Sequence, residues 1–536
     1  MQTHRTLALS LLALSITLPA AFGQVNEDIK ILASDGAPSD VYGSAVGVAG
    51  NRVIVGSQWD DDNGSGSGSA YIYNATTGLE LAKLIASNGE PNDSFGRAVA
   101  INGDRAIIGA EGEDGDPFLT DSGTVYVFDL DTEQELFQLR PMDVFAGYRF
   151  GASISVSGDL AAIGAYGSNE QGTQSGTAYI FNVRTAQELF KMTPVDSAAG
   201  DRFGRAIGIS GTSVVAGSAN DDDNGSNSGS AYVFDGTTGL EVFKLLASDG
   251  IAGDRFGTAV AISGDRAVIG APSSGPNGQR SGAVYVFDIS TGMQIAKLVP
   301  SDGEAFDGFG SQVGISDGRI VVSSDEDDDN GNASGSVYVF DLATQLQVDK
   351  YLPSDGDTED FFGFALALSG GTTVVGSPFN DDNGSQSGSA YIFEDSDGAG
   401  SSYCDPAVIN STNEFGKIAV LGSILASANN FALQASDLPL NQFGFFLGGT
   451  QSVLVMNPAG SNGNLCVGGN LVRFNAASQI GVADAFGVFS RNLDLTAFPA
   501  NPTVAVQAGD TWYFQCWHRE NNGQSNFTTA TAVTFE

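Results

Sequence analysis

From Thr258 to Val299 the chain alternates apolar and polar residues in four short runs, "TAVAI", "AVIGA", "AVYVFD" and "QIAKLV", with Gly, Asp and Ser gathered between them. A period of two residues bounded by turn-forming residues predicts β-strands. The tight "SGDR" and "STG" links predict hairpins. One such unit therefore predicts a four-stranded antiparallel sheet.

The unit recurs. An aromatic–Gly pair stands at Tyr42-Gly43, Phe95-Gly96, Phe150-Gly151, Phe203-Gly204, Phe256-Gly257, Phe309-Gly310 and Phe362-Gly363, at spacings of 53, 55, 53, 53, 53 and 53 residues. Self-similarity at this period marks a repeat architecture. Sheets of this size arranged radially predict a seven-bladed β-propeller, an all-β fold. The ends of the array agree. The seventh unit, from Phe362, yields three strands before "SDGAGSSYC", while Lys30–Gly43 ("KILASDGAPSDVYG") aligns without gaps to Lys244–Gly257 ("KLLASDGIAGDRFG"). The N-terminal strand is thus expected to complete blade seven and close the ring, removing two free sheet edges.

Residues 1–23 read differently. Arg5, the apolar "TLALSLLALSITLPA" and small residues before Gln24 form the pattern of a secretory signal peptide. No later stretch has the ~18–20 apolar residues a spanning helix needs, so a secreted protein without membrane insertion is expected. The expected organisation is a signal peptide over 1–23, the propeller over 24–396, a linker over 397–403 and a β-sandwich-like domain over 404–536.

Charge narrows the partners. Lys and Arg number 23 against 63 Asp and Glu, a net charge of −40. Such a surface repels nucleic acid and attracts cations. An apolar content of 42% argues for a folded rather than a disordered acidic chain. Of two His, His4 falls in the signal; His518 alone excludes a multi-His zinc site.

The aromatic–Gly pairs, with the later Gly109-Ala110, Gly164-Ala165, Gly270-Ala271-Pro272 and Gly376-Ser377-Pro378, resemble the FG-GAP repeats of integrin alpha propellers and their bacterial relatives. The resemblance spans roughly Gln24 to Asp395. It implies extracellular ligand binding and adhesion, frequently with calcium held between the first two strands of a blade. Here those turns are short ("AGNR", "SGDR", "SDGR"), so the family's metal residues do not carry over.

The acids lie instead between the second and third strands: Asp60, Asp61, Asp62 and Asn63; Asp221, Asp222, Asp223 and Asn224; Asp327, Asp328, Asp329 and Asn330; and Asp381, Asp382 and Asn383 after Asn380. Blade two has the looser Glu111–Asp116. Two readings stand open. Asp and Asn fold back on their own backbone as solvated turns, or adjacent carboxylates hold a weak Ca²⁺ in the ~10⁻⁴–10⁻³ M range of extracellular modules. Asp40, Asp93, Asp201, Asp254, Asp307 and Asp360, each two residues before the aromatic, are expected to cap the turn into the inner strand, the alternative being that they complete a metal or ligand site. In an up-and-down blade these crossovers and the acidic loops emerge on one face.

Past Ser402 the repeat stops, and strand-like runs such as "FGFFLGG" and "TWYFQCWHRE" resemble a C-terminal domain appended to many secreted bacterial proteins. Export permits a disulfide; Cys404 and Cys466 are the expected pair, with Cys516 a buried thiol. The functional expectation is a non-catalytic binding or adhesion module for an extracellular polysaccharide or protein. The alternatives are a polysaccharide lyase or glycosidase, which needs a carboxylate pair, and a cation-dependent surface-layer or matrix component.

Overall fold

A computed structural model of the chain describes residues 24–115, 119–394, 401–403, 417–421, 432–436, 438, 442–455, 465–468, 472–474, 481–482, 489–493, 511–519 and 525–534. The expected signal peptide 1–23, Asp116 and Cys404 lie outside the described residues, as does the side chain of Cys466. The chain divides into two units, Met1–Glu394 and Asp395–Glu536.

The first unit is a seven-bladed β-propeller. Blade four is representative: Ala206–Ser210, Ser213–Ser218, Ser230–Asp235 and Leu240–Leu245 run antiparallel in chain order from the axis outwards. The ring closes as expected. Ile29–Ile31 pairs antiparallel with Ser389–Glu394, with Ile29 opposite Ile392 and Lys30 opposite Tyr391. Innermost strands of neighbouring blades touch all the way round, Ala365–Ser369 of blade seven against Ala45–Ala49 of blade one. One pairing has no signal in the sequence: Gln24–Val25 adds a short parallel strand to the outer edge of blade six, at Lys350 and Tyr351.

Apolar alternation buries one side of each strand against the next blade, so the core is a set of interblade layers. One layer joins Val215, Val233 and Leu245 of blade four to Phe256, Ile269 and Tyr285 of blade five. The Phe256 ring stands edge-on to Tyr285, with centroids 5.5 Å apart, and close to Phe287 at 5.8 Å, a favoured aromatic arrangement. Its glycine neighbour has a separate task. Gly257 adopts φ +90° and donates its N–H to Gly270 O at 3.0 Å, while a Cβ on Gly217 would lie 2.0 Å from Gly257 O. The repeated motif thus supplies a core ring, a left-handed backbone turn and a close backbone approach.

In the second unit the described strands form six-, three- and two-stranded sheets. Thr511–Arg519 lies between Phe443–Gly449 and Ser525–Thr534. Ser401–Tyr403, inside the expected linker, pairs with Ala530–Ala532. Cys516 is buried, with its Sγ 3.5 Å from Trp517 O, and burial pushes its thiol pKa up. His518 is buried too. Among the described residues no helix is long and apolar enough to cross a membrane.

Candidate functional site

The loops between second and third strands and the crossovers into the next blade do share a face, and backbone hydrogen bonds knit them together. Asn92, Ser94 and Phe95 N–H donate to Ser65, Gly66 and Ser67 O at 2.9, 3.0 and 2.9 Å. The same ladder recurs between blades four and five, where Gly253, Arg255 and Phe256 N–H donate to Ser226, Asn227 and Ser228 O. The backbone of this face is preformed.

Within each acidic loop the residues have different tasks. The first acid is buried and faces inward. Asp60 Oδ2 accepts from Ser69 Oγ and Tyr71 OH, both at 3.0 Å, and its Oδ1 accepts the Asp62 N–H at 3.0 Å. Asp221 and Asp327 occupy the same place, Asn380 takes it in blade seven, and Glu113 takes it in blade two. The second acid ties the loop to itself: Asp61, Asp222 and Asp381 accept N–H groups of Gly66, Asn227 and Gln386 at 2.8, 2.7 and 2.7 Å. Asp328 is exposed. Asn63, Asn224, Asn330 and Asn383 each donate their backbone N–H to a loop Ser hydroxyl at 2.9–3.1 Å.

The third acid meets a partner that sequence reading passed over. Lys83, on the outermost strand Glu80–Leu84, lies 2.6 Å from Asp62, 3.1 Å from Asp60 and 2.7 Å from Asp35 in the preceding crossover. Lys244 gathers Asp223, Asp221 and Asp196 in the same way, and Lys350 gathers Asp329, Asp327 and Asp302. Lys30 of the closing strand serves Asp355 and Asp382. Each of these lysines stands directly opposite a Tyr of the third strand, Lys83 opposite Tyr71 and Lys244 opposite Tyr232, with the ammonium 5.1 Å from the ring centre in both. Tyr71 Oη lies 2.8 Å from Asp35 and 3.0 Å from Asp60. One phenolic proton cannot serve two carboxylates, and the three ammonium protons supply the rest.

The clusters also fasten blade to blade, because Asp35 and Asp196 belong to crossovers that leave the preceding blade. Burial works to lower the Lys83 and Lys244 pKa values, but hydrogen bonds from the surrounding Asp side chains outweigh it and the net shift is upward. For Asp35, Asp196 and Asp249 burial raises the pKa, and hydrogen bonds from Lys and Tyr override it, leaving these carboxyls below their ordinary range. Blades with fewer loop acids keep the lysine with fewer partners, as with Lys191 and Lys297. Blade two has Gln138 at this position, bonded to Asn88 at 3.0 Å, while Arg140 neutralises Glu113. The recurrent "FKL" and "AKL" ends of the fourth strands carried this information. Only pairing them with the "AY" of the third strand makes it readable.

The crossover acids cap turns as expected. Asp40, Asp93, Asp201, Asp254, Asp307 and Asp360 each accept the N–H three residues earlier, at 2.5–3.0 Å, and all are buried. Desolvation, reinforced by nearby carboxylates, pushes Asp40 and Asp93 up to about 6 and raises the other four. A carboxyl whose pKa is higher folded than unfolded contributes stability that is complete below its unfolded value of 3.8 and is lost as pH rises through about 6. The lysine-bound Asp35, Asp196 and Asp249 act oppositely and lose their contribution as pH falls below 3.8. Melting temperature at constant ionic strength is therefore expected to peak near pH ~4–5 and to fall towards pH ~7.5. Asp40→Asn with Asp93→Asn should make the upper limb shallower, and a wild-type profile already level across that limb would contradict the assignment.

Among the described residues, no group of three or more His, Cys, Asp and Glu that could hold a metal ion is found.

These features define a closed, lysine-clamped propeller with its long loops on one face. The chain belongs to the FG-GAP repeat family: the family model matches residues 25–73, 79–128, 135–181, 187–234, 240–287, 293–340 and 346–393. Among solved structures, the β-propeller domain of Cps50 (Swd1) from Myceliophteria thermophila is similar at 12% identity over 68% of this chain and 99% of that chain, with a TM-score of 0.43. No curated protein matches the chain closely enough to count as a relative.

Proposed function

We propose that this chain is a secreted, non-catalytic binding protein that presents the loop face of its propeller to an extracellular polysaccharide or protein, with a β-sandwich as its second unit. The observation that carries this reading is how completely the loop face is tied down. Backbone ladders join each acidic loop to the next crossover, and the first acids are held by Ser, Tyr and Lys donors. Carboxylates so engaged are poor candidates for a hydrolytic pair. A rigid face suits binding, because little side-chain and loop freedom is lost when a ligand docks.

Calcium loading of the same loops is a second reading, favoured by one observation. Three carboxylates surround one ammonium in blades one, four and six, and the third acid is about half exposed: Asp62 at 44%, Asp223 at 43% and Asp329 at 46%. For a divalent cation to enter, the lysine would have to swing out.

One experiment addresses both readings. The mature chain is titrated against soluble polysaccharides and extracellular proteins, in millimolar Ca²⁺ and in EDTA, while new reducing ends and unsaturated products are assayed. Saturable binding without product formation, equal in both buffers, is expected. Product release would make the protein an enzyme. Binding that survives only in Ca²⁺ would restore the metal reading.

A further inference from the structure

The loop face is not uniformly acidic. Where each crossover reaches the axis, the positions flanking the aromatic–Gly pair hold Arg97 in blade two, Arg149 in blade three, Arg202 and Arg205 in blade four, and Arg255 in blade five. Innermost strands of these blades are neighbours, so five guanidinium groups share one arc around the axis of a chain whose net charge is −40. Among the described residues one carboxylate forms salt bridges with them: Glu111 lies 3.4 Å from Arg97 and 3.5 Å from Arg149. Arg202 donates to the neutral amide oxygen of Gln174 at 3.0 and 3.2 Å. Among the described residues Arg205 and Arg255 have no salt-bridge partner. The Tyr166 ring stands between Arg149 and Arg205, with its centre 6.0 and 5.9 Å from them. Arg97 and Arg202 are neighbouring like charges of Arg205.

Two further observations set this arc apart from scattered surface charge. Arg149, Arg202 and Arg255 all occupy the residue before the aromatic, at φ 55–57°. This left-handed region favours glycine, and blade six has Gly308 there, at φ +69°. The fold needs no side chain at that position, yet three successive blades place an arginine in it. The other side of the same face is aromatic. Phe379 of blade seven packs edge-on against Phe361 and Phe364, with centroids 5.4 and 5.9 Å apart, and Trp59 of blade one is 48% exposed.

We propose that the arginine arc binds the carboxylates of a uronic-acid polysaccharide, with the aromatic side of the face offering stacking surface to its sugar rings. This rests on the binding reading above and names its ligand class. Planar guanidinium groups suit bidentate capture of carboxylates, and aromatic faces suit the apolar faces of sugars. The charge of the whole chain disfavours a densely charged polyanion such as a sulfated glycan. A polymer with one carboxylate per sugar meets the arc at less electrostatic cost.

The test is affinity electrophoresis and calorimetric titration of the mature chain with polygalacturonate, its fully methyl-esterified form, dextran and polyglutamate. The acid form is expected to bind, and the ester at least about tenfold more weakly. Arg202→Gln with Arg205→Gln is expected to lose about tenfold or more in affinity for the acid form at unchanged melting temperature. Neither arginine bridges a buried carboxylate, so the double variant should fold. Equal binding of acid and ester, or unchanged binding by the variant, would overturn the arginine assignment while leaving a polysaccharide-binding protein. Absence of polygalacturonate binding would overturn it as well. Preference for polyglutamate would replace the polysaccharide with an acidic polypeptide. Cleavage of the polymer would instead end the non-catalytic reading.

Discussion

Replacing Gly257 with Ala is expected to destabilise the propeller by at least about 3 kcal/mol. The added Cβ would lie 2.2 Å from Ser230 O and 3.1 Å from Ser218 N, at a residue held at φ +90°. Both neighbours are backbone atoms of blade four, so relief requires the interblade layer to open around Phe256. Gly264 in the same blade is the internal control. It sits at φ +53° with nothing within 4 Å of where a methyl would stand, so Gly264→Ala should cost only the left-handed strain, about 1–2 kcal/mol. Urea unfolding of the two variants measures the contrast. Equal losses would show that the motif glycine serves its φ angle alone and that the close backbone approach is unimportant.

Lys244→Ala is the second large effect, expected at about 2–3 kcal/mol. Removal leaves Asp196, Asp221 and Asp223 facing one another, with Asp221 buried. The figure lies below that of a fully buried broken pair because the Asp223 side chain is 43% exposed and water screens it. Blade two shows the remedy, since neutral Gln138 and Asn88 stand there in place of the lysine and the crossover acid, and Asn380 replaces the first acid in blade seven. Lys244→Gln combined with Asp196→Asn and Asp221→Asn should recover most of the loss. The single alanine variant should also show a larger calcium-dependent rise in melting temperature than the wild type, because three carboxylates then converge with no ammonium among them. A Lys244→Ala protein as stable as wild type would reduce the clusters to surface ion pairs.

Much of this was legible in the chain. Fold class, blade number and the closing strand followed from short-range facts: a two-residue alternation, a turn composition and a period of about 53 residues. Each blade repeats one sheet, and a radial array leaves little freedom in how copies stack. The capping role of Asp40 and its equivalents was legible for the same reason, since donor and acceptor are three residues apart. The acidic loops could be found but not interpreted. Asp61 and Asp222 make local bonds, whereas Asp62 and Asp223 answer to lysines on a strand beyond the hairpin.

The sequence by itself determined which residues alternate, how many blades form and where the ring joins, because strand periodicity and turn chemistry act over a few residues. Only the tertiary structure decided what the charges do. Asp196 lies 48 positions before Lys244 and meets it because a crossover leaves one blade at the flank of the next. The arginines of blades two to five lie about one repeat apart in the chain and become neighbours because equivalent positions of a closed ring converge on its axis.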